Sequence, residues 1–196
     1  DWSSDVCSSD LVNFAGMIRI LIADDHSVVR KGLRQILLEG FPTADIEEVP
    51  DAEEMIKKVM NANWDVVISD MSMPGRSGLD ALQQIKQIYP DLPVLILSIH
   101  PEEHYALRVL KAGASGYLSK GSASDELVKA VQTVLLGKKY ISAAVAEKLA
   151  TSFSSDPSKP AHELLSDREF DVMKLLAAGK SVSDIAEILS LSVTTI

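Results

Sequence analysis

Cysteine is nearly absent from this chain: Cys7 is the single one, so no disulfide can form within it. That scarcity favours a reducing compartment, and a cytoplasmic location is expected. Long apolar runs are missing too. No stretch approaches the roughly 18 residues of a membrane-spanning helix, so no membrane partner is expected. Positive charge is in short supply, with 19 Lys and Arg against 28 Asp and Glu and a net charge of −9. This balance excludes a chain whose whole surface is a nucleic-acid footprint, so any DNA contact has to be local. Hydrophobic residues make up 46% and charged residues 24% of 196 positions, ordinary for a globular protein with room for one domain and a small second one.

Residues 1–16 are rich in Ser and Asp and show neither a helical nor a strand period. They lack the basic segment and apolar core of a secretory signal. They are expected to be a non-native or disordered leader, with Met17 as the natural start.

From 17 onward the chain is organised around residues 64–78. The apolar run Val66 to Ile68 ends in the carboxylate Asp70, and Pro74, Gly75 and Gly78 turn the backbone after it. Such a run predicts a buried parallel strand with its carboxylate at the C-terminal edge of a sheet. Ligands bind outside that edge in open α/β sheets. Strands are predicted over 18–23, 46–49, 66–69, 94–98 and 116–119, alternating with helices over 28–38, 52–60, 79–88, 102–111 and 125–136. Gly40, Gly113 and Gly137 sit where helix stops belong. The alternation predicts an α/β domain over 17–138, a doubly wound five-stranded parallel sheet covered by helices on both faces. Residues 139–162 read as a helix near 143–150 and a linker punctuated by Pro157 and Pro160. A second periodic block occupies 163–196: Ser166 and Glu169 form a capping box, the helix stops at Gly179, and short helices follow at 181–189 and from Ser192.

Five side chains carry the chemistry. Asp24 and Asp25 follow the first predicted strand, Asp70 the third, Ser98 ends the fourth and Lys120 follows the fifth. In one parallel sheet they converge on one rim. Three close carboxylates raise one another's pKa unless a cation joins them. A hard divalent ion with oxygen ligands, Mg²⁺ above all, resolves the repulsion and shares a phosphate. Ser98 as donor and Lys120 as point charge suit a phosphoryl group. The pattern predicts phosphoryl transfer onto Asp70, with Mg²⁺ and Lys120 neutralising charge in the transition state.

Asp24-Asp25, the run Ser-Asp-Met-Ser-Met-Pro-Gly at 69–75, Ser98, and Gly-Ala-Ser-Gly-Tyr-Leu-Ser-Lys at 113–120 resemble the receiver domain of a two-component response regulator, a flavodoxin-like fold. The resemblance implies that Asp70 is the phosphoacceptor for a sensor histidine kinase. It implies that Asp25, Asp70 and the backbone carbonyl of Ser72 ligate Mg²⁺, that Asp24 acts through metal-bound water, and that Ser98 and Lys120 contact the phosphoryl oxygens. Tyr117 matches the switch aromatic, expected to rotate inward when phosphorylated Asp70 draws Ser98 in. Gly121 stands where many receivers carry Pro, so a cis bond is not expected there. His100 and Ser72 resemble positions that tune acyl-phosphate lifetime. His26 and His104 read as surface residues.

Leu165 to Glu169, Leu175 to Ser181, Asp184-Ile185-Ala186 and Leu191 to Ile196 resemble a LuxR-type helix-turn-helix, making the whole chain similar to NarL/FixJ regulators. That implies a recognition helix from Ser192, with Thr194 and Thr195 approaching DNA near its start. The helix breaks off at Ile196, and from 163 on six acids stand against three bases. This partial all-α domain is therefore expected not to bind DNA specifically in the present chain, and 140–196 is expected to be mobile or alternatively packed. A homodimer is expected on phosphorylation, through the helices at 28–38 and 125–136. The expectation is a phosphoacceptor that catalyses its own phosphorylation and dephosphorylation rather than a turnover enzyme. Two alternatives stay open: a receiver acting by protein contact alone, and an aspartyl-phosphate hydrolase. The second is disfavoured because Ser72 stands where such enzymes place a second acid.

Overall fold

The computed structural model describes residues 17–99, 102–142, 145–146, 167–189, 191–193 and 196. Most of the helix expected at 143–150, the linker, and the cap expected at Ser166 lie outside the described residues.

Five strands, β1 (Arg19–Ala23), β2 (Asp45–Val49), β3 (Val66–Asp70), β4 (Val94–Ser98) and β5 (Gly116–Ser119), alternate with α1 (Ser27–Gly40), α2 (Ala52–Asn61), α3 (Gly78–Ile88), α4 (Glu102–Lys111) and α5 (Ala123–Leu135). The sheet order is β2-β1-β3-β4-β5, and every pairing is parallel. In this order the chain reverses direction across the sheet between β1 and β3, which opens a crevice above their C-terminal ends.

The two-residue period of a strand divides the core into two layers. Ile20, Ile22, Val66, Ile68, Leu95, Leu97 and Leu118 pack with Leu33, Leu37, Leu127 and Val131 on the α1/α5 side. Leu21, Val67, Val94, Ile96 and Tyr117 pack with Met55, Leu82, Ile85 and Tyr105 on the other. β3 and β4 are buried at all five positions. Each fully buried large aliphatic there stabilises the fold by about 1.5–3 kcal/mol. β2 alternates less cleanly because it is an edge. Its half-exposed Glu47 accepts from Lys58 at 2.6 Å, and Arg19 lies 3.2 Å from Asp45.

Gly113 and Gly137 do take positive φ at helix ends, as expected. Gly40 does not. α1 runs through it to a cap at Phe41, and a Cβ at Gly40 would come within 2.4 Å of a Val128 methyl on α5. The glycine is there for close helix packing rather than for a left-handed turn. No cis peptide occurs among the described residues.

In the C-terminal segment, α6 (Asp167–Ala177) and α7 (Val182–Ile188) form. α7 starts with a capping box: Ser181 Oγ accepts from the Asp184 N–H, and Asp184 Oδ2 accepts from the Ser181 N–H at 3.1 Å. Asp184 stands at the third helical position, where the usual box has Glu or Gln. α6 touches the first domain through Tyr105 of α4. The Tyr105 hydroxyl donates to Asp171 Oδ1 at 2.5 Å and accepts from Lys174 Nζ at 2.6 Å, while the Lys174 ammonium sits 4.4 Å from the ring centroid.

Candidate functional site

The rim above β1, β3, β4 and β5 gathers the polar residues that the rest of the core excludes. Asp24, Ser69, Asp70 and Ser98 are all buried. Asp24 is fixed from two directions: its Oδ1 accepts the His26 N–H at 2.8 Å, and its carbonyl accepts from Arg30 Nη1 at 2.6 Å. Asp70 closes β3, and the loop after it returns sharply. Gly75 has φ +78°, and a Cβ at Gly78 would stand 1.9 Å from the Asp70 carbonyl oxygen. Gly78 therefore has to be glycine for α3 to begin where it does, and this fixes the loop that carries Ser72.

Lys120 reaches the rim from the end of β5. Its backbone N–H donates to the Ser98 carbonyl at 2.7 Å, which places the two residues side by side. Its ammonium stands 2.7 Å from Asp24 Oδ2 and 2.9 Å from Asp70 Oδ2. Burial pushes the Asp70 carboxyl above its ordinary value. The Lys120 hydrogen bond and charge oppose that shift, the Asp24 charge adds to it, and the Ser72 N–H opposes it. For Lys120, burial alone would lower the pKa; the hydrogen bonds and charges of Asp24 and Asp70 overcome it and leave the ammonium raised. The lysine is thus held charged at neutral pH between two carboxylates.

One ligand atom each from Asp24, Asp25, His26 and Asp70 lies within 4.8 Å of the others. The three carboxylates of that set are hard oxygen donors around one point and fit a divalent cation. The single Lys120 ammonium does not balance three carboxylates, so the charge at the rim also favours one.

The structure therefore brings Asp24, Asp25, Asp70, Ser98 and Lys120 to one place. Ser72 belongs to it through the loop after β3, its backbone N–H directed at the Asp70 carboxylate. Tyr117 is buried on β5, in the same apolar cluster as Tyr105. Thr194, Thr195 and His100 lie outside the described residues, as does the side chain of His104. His26 is largely exposed, as a surface residue should be, yet its Nδ1 lies 2.7 Å from Asp25 Oδ1. Its adjacency to two acids was the available signal; the direction of the ring was not. A cavity of about 250 Å³ lies over the rim, between the Met71–Pro74 loop and Ile188, Leu189 and Leu191 of the C-terminal segment.

Comparison with known proteins bears on both segments. Residues 20–132 match the family model described as response regulator receiver domain, and residues 163–196 match that of bacterial regulatory proteins, luxR family. The chain is 36% identical over 181 residues to Response regulator UvrY of Escherichia coli (strain K12), covering 92% of this chain and 83% of that one. It is 39% identical over 191 residues to Oxygen regulatory protein NreC of Staphylococcus epidermidis, covering 91% and 86%. RcsB from Salmonella enterica serovar Typhimurium, solved bound to a promoter with the phosphomimetic BeF₃⁻, superposes with a TM-score of 0.64 at 28% identity, over 92% of this chain and 87% of that one.

Proposed function

This chain belongs to the two-component response regulators that join a receiver to a LuxR-type DNA-binding domain, and from that membership we propose that Asp70 is its phosphoacceptor. The family is one of phosphorylation-controlled transcription regulators, not of turnover enzymes. The observation that carries the proposal is the Lys120 ammonium, within 2.9 Å of carboxylates from two strands far apart in sequence.

Asp25, Asp70 and the Ser72 carbonyl would hold Mg²⁺, and Asp24 would act through a metal-bound water. When bound, the ion neutralises charge on the phosphoryl oxygens. An Asp70 carboxylate oxygen attacks phosphorus as the bond to the donor breaks; with a histidine kinase the phosphohistidine P–N bond breaks and the imidazole leaves. Lys120 lies beside Asp70 and moves from its carboxylate partners to a phosphoryl oxygen. Ser98, one residue pair away in the β4–β5 register, donates to another. Phosphorylation replaces the Asp70 carboxylate charge with the larger charge of a phosphoryl group, and Ser98 is drawn to it. Tyr117 reads that shift and passes it to α4, which shares its apolar cluster. The receiver at 17–138 then controls the helix-turn-helix at 163–196, with Thr194 and Thr195 proposed as its DNA-approaching residues. Phosphorylation drives homodimerisation, the arrangement in which LuxR-type domains read paired half-sites.

Phos-tag electrophoresis after acetyl phosphate and Mg²⁺ tests the proposal. Wild type shifts, and Asp70→Asn does not. A shifted Asp70→Asn band, or no shift in wild type, overturns it. A steady-state phosphatase assay excludes the hydrolase reading if turnover stays stoichiometric with the chain.

A further inference from the structure

His26 opens α1 immediately after the two acids, and its ring turns back toward them. Nδ1 lies 2.7 Å from Asp25 Oδ1 and 3.5 Å from Asp24 Oδ1. The side chain is 67% exposed, so burial does not place the ring there. Nor does helix capping, since the side chain makes no cap hydrogen bond. Asp25 Oδ1 is shielded from water, and the His26 ring nitrogen is the polar atom it faces. Two atoms that carry lone pairs stand this close only with a proton or a cation between them. Bonds of about 2.0–2.2 Å to a single ion put neighbouring donors about 3 Å apart and opposite donors about 4.2 Å apart. The spread of up to 4.8 Å over the four donors needs only small side-chain movements to reach that geometry.

A nitrogen donor changes which metal such a site prefers. Mg²⁺ takes oxygen ligands and keeps several waters, whereas imidazole suits the later first-row divalent ions. We propose that His26 is a fourth metal donor of the pocket, giving it direct affinity for a divalent transition ion of the Co²⁺ or Zn²⁺ class and setting its choice of metal against Mg²⁺. The inference rests on the reading that Asp24, Asp25 and Asp70 hold a divalent ion. The transition ion shares those carboxylates with Mg²⁺, so the two exclude one another.

The test uses the full chain, titrated with Co²⁺ by its visible absorption and with Mg²⁺ by competition against it. His26→Ala is expected to weaken Co²⁺ by about tenfold or more and to leave Mg²⁺ within about twofold, because His26 adds nothing Mg²⁺ prefers. Pulsed EPR of bound Cu²⁺, an ion that suits imidazole, is expected to show a nitrogen coupling that His26→Ala abolishes. Equal weakening of both ions, unchanged Co²⁺ affinity, or no nitrogen coupling in wild type each overturns the proposal. Failure of Mg²⁺ to compete at all in wild type would instead overturn the reading of the acidic pocket on which the proposal rests.

Discussion

Lys120 Nζ stands 2.9 Å from Asp70 Oδ2, and the same ammonium also closes on Asp24 at 2.7 Å. All three side chains are nearly out of solvent, at 14%, 5% and 1% exposure. Removing the ammonium leaves two buried carboxylates unpaired. Lys120→Met is therefore expected to cost about 3–5 kcal/mol in metal-free buffer, read by urea unfolding. Mg²⁺ restores part of that loss, and phosphorylation by acetyl phosphate falls. Equal stability of the two chains in chelator would show that the ammonium is not what holds the rim together.

Asp70 predicts a pH dependence of known sign. Its pKa is raised in the folded state, chiefly by burial. The folded chain therefore holds its proton more tightly than the unfolded one, and the contribution of this group falls as pH rises through the folded pKa. Asp70→Asn removes the ionisation. In chelator the variant is expected to melt higher than wild type at pH 8. The gap should narrow as pH falls from the raised folded pKa toward the ordinary carboxylate value of 3.8, where it is closed. A gap that widens on acidification would reverse the sign assigned to Asp70.

Tyr105 joins the two domains through one hydroxyl that donates to Asp171 and accepts from Lys174. Tyr105→Phe keeps the ring and removes both hydrogen bonds, a loss of about 1–3 kcal/mol in docking because charged partners are involved. Amide exchange in 167–177 is expected to quicken. Phosphorylation by acetyl phosphate is expected to speed up as well, since the C-terminal segment covers the Met71–Pro74 loop. Unchanged exchange and an unchanged rate together would show that the hydroxyl does not secure the contact.

Gly40 is required by Val128 across the α1–α5 contact. Gly40→Ala gains about 1 kcal/mol of helix propensity but forces a methyl into that side chain. A net destabilisation of about 1–2 kcal/mol is expected. Val128→Ala in the same chain should recover most of it, giving a favourable coupling in a double-mutant cycle. Additive effects would place the cost elsewhere.

Much of the site was legible in the sequence because parallel strands bring their C-terminal residues to one edge. A residue's position at the end of an apolar run is then enough to place it. Asp24, Asp70, Ser98 and Lys120 were found on that ground alone. The strands were equally plain: Val94 to Leu97 is apolar throughout because both its faces are covered. Gly40 does mark the end of α1, but a glycine near a helix end has the same local signature whether it turns the chain or clears space for a neighbour, and here it clears space. His26 was set aside because exposure and contact are separate properties, and a histidine beside two acids can point either way.

The order of residues along the chain thus determined the α/β architecture, the acidic rim and the chemistry the rim suits, since hydrophobic period and strand ends are local properties. Tertiary structure alone decided the rest. It chose which oxygen Lys120 bonds, turned the His26 ring onto Asp25, demanded a glycine at 78, and set Tyr105 against α6. Each of these depends on directions and distances between segments that only the packed sheet and its helices bring together.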